Sequence, residues 1–217
     1  MTFREFEQAF SDYLVIPVIE VEKSFPGFDR NSLTRWQKKG YIEKLRQGYY
    51  RISSNPISSE AELFLLANKV YHPSYVSLQS AMRWYDFIPE GVFITTSIST
   101  QKTIFFKTTV GSFQFRSIKR DLFFGYRLEK VKKQYFKIAA PEKALLDYFY
   151  LSSNLDSLDD LHELRLNIFE LKEKIDWEKM NQMLHLFNTK ALNHRILLLK
   201  KYLDSYDIAT RNSILLP

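Results

Sequence analysis

Apolar positions in the first fifty residues follow helical spacing and then switch to strand-like runs. Phe3, Phe6 and Phe10 recur at i, i+3, i+7 behind Thr2-x-x-Glu5, which predicts a short helix opened by a capping box. A second short helix is expected over about 17–24, with Pro17 near its first turn. Phe25-Pro26-Gly27-Phe28 reads as a turn, after which Asp29 can cap a third helix from Arg30 to Lys39 that Gly40 ends. Leu33 and Trp36 face inward on that helix, while Asn31, Thr34, Arg35 and Lys38 share the opposite, polar face. Two strands follow, Tyr41 to Arg46 and Tyr49 to Ile52, turning at Gln47-Gly48. Three helices and a hairpin in this order predict a winged helix-turn-helix.

Ser53-Ser54-Asn55-Pro56 is a polar break between patterned regions, so the expected domains are 1–55 and 56–217. Ser59-x-x-Glu62 caps a helix carrying Leu63, Leu66 and Val70, and another helix is expected from Leu78 to Phe87. Between 92 and 138 the residues become β-branched and aromatic: Val92 to Thr96, Thr103 to Phe106, Phe113 to Ile118 and Tyr135 to Ile138. Pro141-Glu142 opens a helix with Ala144, Leu145, Tyr148 and Phe149. Beyond it the chain reads as helical. Leu161, Leu164, Ile168, Leu171 and Ile175 form one stripe, Met180, Met183, Leu184 and Phe187 a second, and Leu192, Ile196, Leu199 and Leu203 a third. Strands grouped between helices predict an α+β fold: a winged helix-turn-helix, then a larger α+β domain with an antiparallel or mixed sheet and a helical C-terminal part. That larger part holds most of the aromatic core and is expected to fold without the head.

Charge changes the picture because it is unevenly placed. The net charge is +6, but residues 23–55 carry eight basic side chains against Asp29 and Glu43, a local +6. Residues 102–137 hold ten basic residues against Asp121 and Glu129, whereas 155–180 are acidic. Two basic zones favour polyanionic partners. The chain has no Cys, which excludes a disulfide scaffold, a Cys-ligated zinc site, an iron–sulfur cluster and a cysteine nucleophile. No apolar run nears the ~18 residues of a membrane span, and the first residues do not read as a secretory signal, so a cytoplasmic chain without membrane partners is expected.

No nucleotide-binding glycine loop, nucleophile elbow or zinc-protease motif occurs, and His72, His162, His185 and His194 do not pair at ligand spacing. Asp160, Glu170 and Lys172 imitate a nuclease metal string, but Glu170 and Lys172 stand about 200° apart on a helix and read as a solvated face. No enzyme, cofactor or metal is therefore expected. The third helix carries the stronger signal. Arg35, central among Asn31, Thr34 and Lys38, suits a guanine O6/N7 contact; Lys44, Arg46 and Arg51 on the hairpin suit phosphates or a minor groove. Small basic winged helices also dock proteins, and the charge excess weighs toward duplex DNA. Phe105, Phe106, Phe113 and Phe115 read as sheet core rather than a base-stacking platform.

The run from Asp29 to Tyr50, DRNSLTRWQKKGYIEKLRQGYY, resembles the winged-helix module of the AbiEi family of antitoxins. Three later segments resemble the same family: Tyr75 to Met82, Phe87 to Glu90, and Ile138 to Asp147. The resemblance implies a bacterial type IV toxin–antitoxin component tied to abortive phage infection. It implies a head that represses its own promoter at inverted repeats, and a second domain that counters a nucleotidyltransferase-like toxin, directly or through that toxin's RNA substrate. The DNA-binding positions are then Arg30, Asn31, Thr34, Arg35, Lys38, Lys39, Lys44, Arg46 and Arg51. Lys130, Lys132 and Lys133 are the candidate partner surface, expected to tolerate charge reversal without loss of the fold. Two rivals stand beside this: a stand-alone regulator whose second domain senses a ligand or partner, and a nuclease with a DNA-binding head.

Overall fold

The computed structural model describes residues 1–214, with side chains to Tyr206; the last three residues of the expected helical tail, 215–217, lie outside the described residues. The fold is mixed α+β, with a small N-terminal head and a larger body.

In the head, α1 (Phe3–Phe10) begins with the expected capping box: Thr2 Oγ1 accepts from the Glu5 N–H at 3.3 Å, and Glu5 Oε2 accepts from the Thr2 N–H at 2.7 Å. A two-residue strand, β1 (Ile16–Pro17), leads into α2 (Val18–Ser24) and α3 (Asn31–Lys38). Asp29 Oδ1 accepts from the Asn31 N–H at 2.9 Å, and Gly40, at φ +72°, takes the left-handed conformation that lets the chain turn out of α3. The hairpin β2 (Ile42–Arg46) and β3 (Tyr49–Ile52) completes a sheet in the order β1-β3-β2. This order is compatible with a winged helix-turn-helix. Phe6, Phe10, Ile16, Val21, Leu33, Trp36, Ile42 and Ile52 form the head's own core. Trp36 packs against Phe3 and Phe6, as its inward phase on α3 predicts.

In the body, α4 (Glu60–Val70), capped by Ser59, precedes β4 (Ser74–Val76) and α5 (Leu78–Trp84). The strands β5 (Ile94–Ser99), β6 (Ile104–Thr108), β7 (Gly111–Ser117), β8 (Tyr126–Val131) and β9 (Gln134–Ala139) follow. With β4 they make a six-stranded sheet in the order β6-β7-β5-β4-β9-β8. The sheet is mixed: β4 runs parallel to β9 and β5 parallel to β7, while the other pairs are antiparallel. One face packs on α4, with Phe64 5.7 Å from Phe136. Phe106, Phe113 and Phe115 lie on that face; Phe105 faces the other way and is exposed.

The opposite face meets α6 (Pro141–Leu151) through a buried polar cluster. The Lys143 ammonium pairs with Asp147 one turn on and donates to Tyr75 Oη at 2.8 Å. Asp147 Oδ2 accepts from the Tyr75 and Ser77 hydroxyls, each at 2.8 Å. All four side chains are sealed from solvent. Burial pushes the Asp147 carboxyl up and the Lys143 ammonium down. Gly125 lets the chain cross this site, because a Cβ there would meet the Lys143 methylenes at 3.1–3.2 Å.

The helical tail is α7 (Leu158–Glu163), α8 (Ile168–Lys174), α9 (Trp177–Phe187) and α10 (Lys190–Ile214). The first expected stripe is thus corrected: Leu164 caps α7 and Arg165 sits at φ +50°, so Leu161 and Leu171 belong to separate helices. The strand expected to begin at Val92 begins at Ile94, and the helix expected to reach Phe87 stops at Trp84. Leu14, Val15 and Leu45 of the head belong to the body's core, so a fragment beginning at residue 56 leaves that apolar surface uncovered.

Candidate nucleic-acid interface

The polar phase of α3 is set by its apolar one. Leu33 and Trp36 anchor the helix in the head, so Asn31, Thr34, Arg35 and Lys38 stand exposed on the far side. A groove of about 520 Å³ runs between the start of α3 and the β2–β3 turn, lined among others by Arg30, Asn31, Thr34, Lys44 and Gln47. Asn31 and Thr34 offer side-chain donors and acceptors along it, and Lys44 stands exposed on the hairpin side. Lys39 lies 5.9 Å from the Tyr41 ring, beyond the C-terminal end of α3.

Two arginines in this zone carry local counter-charges. Arg30 is gripped by Glu22 in a two-pronged pair, one arm at 3.0 Å, and the hydrogen bonds from Arg30 hold the Glu22 carboxyl below the usual carboxylate range. Arg35 donates to Ser32 Oγ at 2.8 Å and to Asp29 Oδ2 at 3.3 Å, which orients its guanidinium along the helix. Both pairs are solvent-exposed, so a phosphate or base edge can compete for them.

Arg46 and Arg51 do not belong to this surface, and their assignment as DNA contacts is corrected. The β2–β3 register shifts between Lys44 and Arg46, and this bulge breaks the simple alternation of β2. Ile42 points into the head core, whereas Leu45 joins the body core. Arg46 donates to the Val70 carbonyl at 3.0 Å and lies 4.7 Å from the Tyr71 ring. Arg51, opposite Glu43 in the ladder, is buried; it donates to Glu43 Oε2 at 2.7 Å and to the Asn55 carbonyl. Glu43 also accepts from Thr109 Oγ1 of the body at 2.6 Å. Arg46 and Glu43 touch the body directly, and Arg51 fixes Glu43 and the Asn55 carbonyl at the junction. The available set is Arg30, Asn31, Thr34, Arg35, Lys38, Lys39 and Lys44.

The candidate partner surface is also redrawn. Lys130 lies within β8 and is exposed; Lys132 and Lys133 occupy the β8–β9 turn and are exposed too, but each has a carboxylate of the protein within reach. Lys132 pairs at 2.5 Å with Glu62, whose side chain is 1% exposed, and Lys133 lies 3.4 Å from Asp12 of the head. Burial raises the Glu62 carboxyl, but hydrogen bonds from Lys132 and Ser58 outweigh it and leave it below its ordinary value. Charge reversal at Lys132 would take the cation from buried Glu62 and bring a second carboxylate near it, so the geometry predicts a stability cost at this one position of the three.

The nuclease-like string does not converge. Asp160 accepts from Ser157 at the start of α7, whereas Glu170 pairs with Lys174 within α8 at 2.6 Å. Among the described residues, no three His, Cys, Asp or Glu side chains gather as a metal site, and no helix is long and apolar enough to cross a membrane. No protein-family model matches the chain, and no curated protein is significantly similar to it.

Proposed function

We propose that this chain is a DNA-binding autorepressor and antitoxin of the AbiEi type, expressed in the cytoplasm beside a nucleotidyltransferase-like toxin that its body counters. The observation that carries the DNA-binding half is the exposed polar face of α3 beside a groove edged by Lys44, with Leu33 and Trp36 fixing that face outward. A helix of this kind presents donors to base edges while flanking cations hold phosphates. The antitoxin half rests on the four sequence segments that resemble the family.

The test is a mobility-shift titration with the DNA upstream of the gene, together with growth scored during co-expression with the adjacent gene product. Arg35→Ala should weaken operator binding by ~1–3 kcal/mol and relax preference at one base position. Unchanged operator binding in that variant would remove α3 as the reading element. Failure of the chain to restore growth would remove the antitoxin half.

A second reading, a regulator that senses a small ligand, is favoured by one feature. A cleft of about 890 Å³ lies between head and body, with Tyr13, Leu14, Leu65, Lys69 and Lys133 in its wall. Clefts between packed units are common ligand sites. That reading predicts operator affinity that changes with a metabolite and no protection from the neighbouring toxin.

A further inference from the structure

The β8–β9 hairpin has an outward face built differently from the rest of the sheet. Lys130 lies opposite Tyr135, Leu128 opposite Lys137 and Tyr126 opposite Ala139, so these side chains share one face. Tyr135 is 56% exposed, Leu128 60% and Tyr126 36%. Tyr126 is held in place by stacking 5.3 Å from buried Tyr75, with the Lys137 ammonium 5.0 Å from its ring. Lys130 is exposed and has no partner among the described residues. Neither strand puts a carboxylate on this face; Glu129 points the other way and pairs with Arg127 at 2.7 Å. β8 is also the edge strand of the sheet.

Each strand sets one ring and one cation on this face, Tyr126 and Lys130 on β8 and Tyr135 and Lys137 on β9, with Leu128 exposed between them. A protein partner would prefer a patch core free of lysine. A duplex hides its base faces in the stack. A flexible polyanion with unpaired bases matches both properties at once, since its bases stack on exposed rings and its phosphates meet the cations. We infer that the outward face of the β8–β9 hairpin binds single-stranded RNA, with Tyr135 stacking on a base and Lys130 contacting a phosphate. The choice of RNA rests on the proposed antitoxin role, in which the body meets the toxin's RNA substrate.

The experiment is fluorescence anisotropy of the full chain with a labelled single-stranded RNA of mixed sequence, a DNA strand of the same sequence, and the operator duplex. Tyr135→Ala should weaken RNA binding about tenfold or more. Lys130→Glu should weaken it and lower the slope of log affinity against log salt by about 0.7 or more. Both variants should keep operator affinity and melting temperature. Phe105→Ala, an exposed aromatic on the far edge strand, should leave RNA binding unchanged and so separates this platform from any exposed ring. The inference is overturned if the wild type does not bind the RNA, if Tyr135→Ala and Lys130→Glu bind it normally, or if the DNA strand binds equally well. It is overturned too if Phe105→Ala is as damaging as Tyr135→Ala. RNA binding that Tyr135→Ala and Lys130→Glu leave unchanged, with growth rescue intact, sinks this inference and leaves the proposed function standing. RNA binding through Tyr135 without growth rescue supports the inference and sinks the antitoxin role.

Discussion

The two basic zones carry similar charge but dispose of it differently. Between 23 and 55, the cations of α3 and Lys44 point to solvent, while Arg46 and Arg51 are turned toward the body. Between 102 and 137, Lys107 and Lys130 have no partner among the described residues, while Lys132 pairs with buried Glu62 and Lys133 lies near Asp12. The difference lies in the element that carries each charge. On a helix anchored by two apolar side chains, the outward phase is fixed over the whole element. On a short hairpin, one bulge or one tight turn redirects a side chain, and a charge counted along the sequence can serve as a structural clamp.

The largest test of this division falls on a charge turned fully inward. Lys143→Met leaves Asp147 buried with only the Tyr75 and Ser77 hydroxyls, and should destabilise the protein by ~3–5 kcal/mol. For a chain of this size, that lowers the melting temperature by about 2–4 °C per kcal/mol. Replacing Asp147 by Leu in the same chain should recover much of the loss, because no uncompensated charge then remains. A melting temperature unmoved by Lys143→Met would mean that the cluster contributes nothing to stability.

A smaller effect is expected where only one partner is buried. Lys132→Met removes the ammonium from Glu62, which keeps Ser58 as a donor, and should cost about 1–3 kcal/mol at neutral pH. With Lys132 present, the Glu62 carboxyl is depressed. The stability it contributes is therefore fully present above the unfolded carboxylate value, about pH 4.3, and is lost as pH falls through the lower folded value. Denaturant titrations at pH 7 and pH 3 should show the gap between wild type and Lys132→Met narrowing toward acid. Lys130→Met, two residues away on the outward face, should show no gap at either pH. A pH-independent difference for Lys132→Met would detach Glu62 from the effect.

Much of the fold was legible because periodicity and capping agreed with the tertiary structure. Thr2-x-x-Glu5, Ser59-x-x-Glu62 and Pro141 each open the helix they predict, and Trp36 occupies the core that its spacing with Leu33 implies. Three strands escaped for distinct reasons. β1 has two residues, and β4 has three with all of them buried, so neither shows alternation. β8 alternates, but its apolar positions Tyr126 and Leu128 face outward, the reverse of a core strand. The α3 face was legible from helical phase alone. Arg46 was not, because a bulge leaves no reliable mark in the residue pattern, and Arg51 was not, because its burial comes from a cross-strand pairing with Glu43 on the side where Thr109 of the body packs. The buried Lys143–Asp147 pair had only its i,i+4 spacing as a signal, and on a helix that spacing reads equally as a surface pair.

The smallest expected effect compares two neighbours on β2. Lys44 is exposed and lines the groove beside α3, while Arg46, beyond the bulge, lies against Val70, Tyr71 and Phe106. If the bulge sorts interface from clamp, Lys44→Ala should weaken binding to every duplex alike. It should lower the salt slope by about 0.9, the value for one phosphate contact. Its stability should stay within about 0.5 kcal/mol of wild type, as for other exposed positions. Arg46→Ala should do the reverse. It removes a hydrogen bond to a backbone carbonyl and a cation over two rings, so it should lower the melting temperature and leave the salt slope untouched. Both slopes come from the same titrations at several salt concentrations, read beside a thermal melt of each variant. A slope that drops for Arg46→Ala and holds for Lys44→Ala would place the polyanion on the other side of the hairpin. The groove beside α3 would then lose its claim to the duplex.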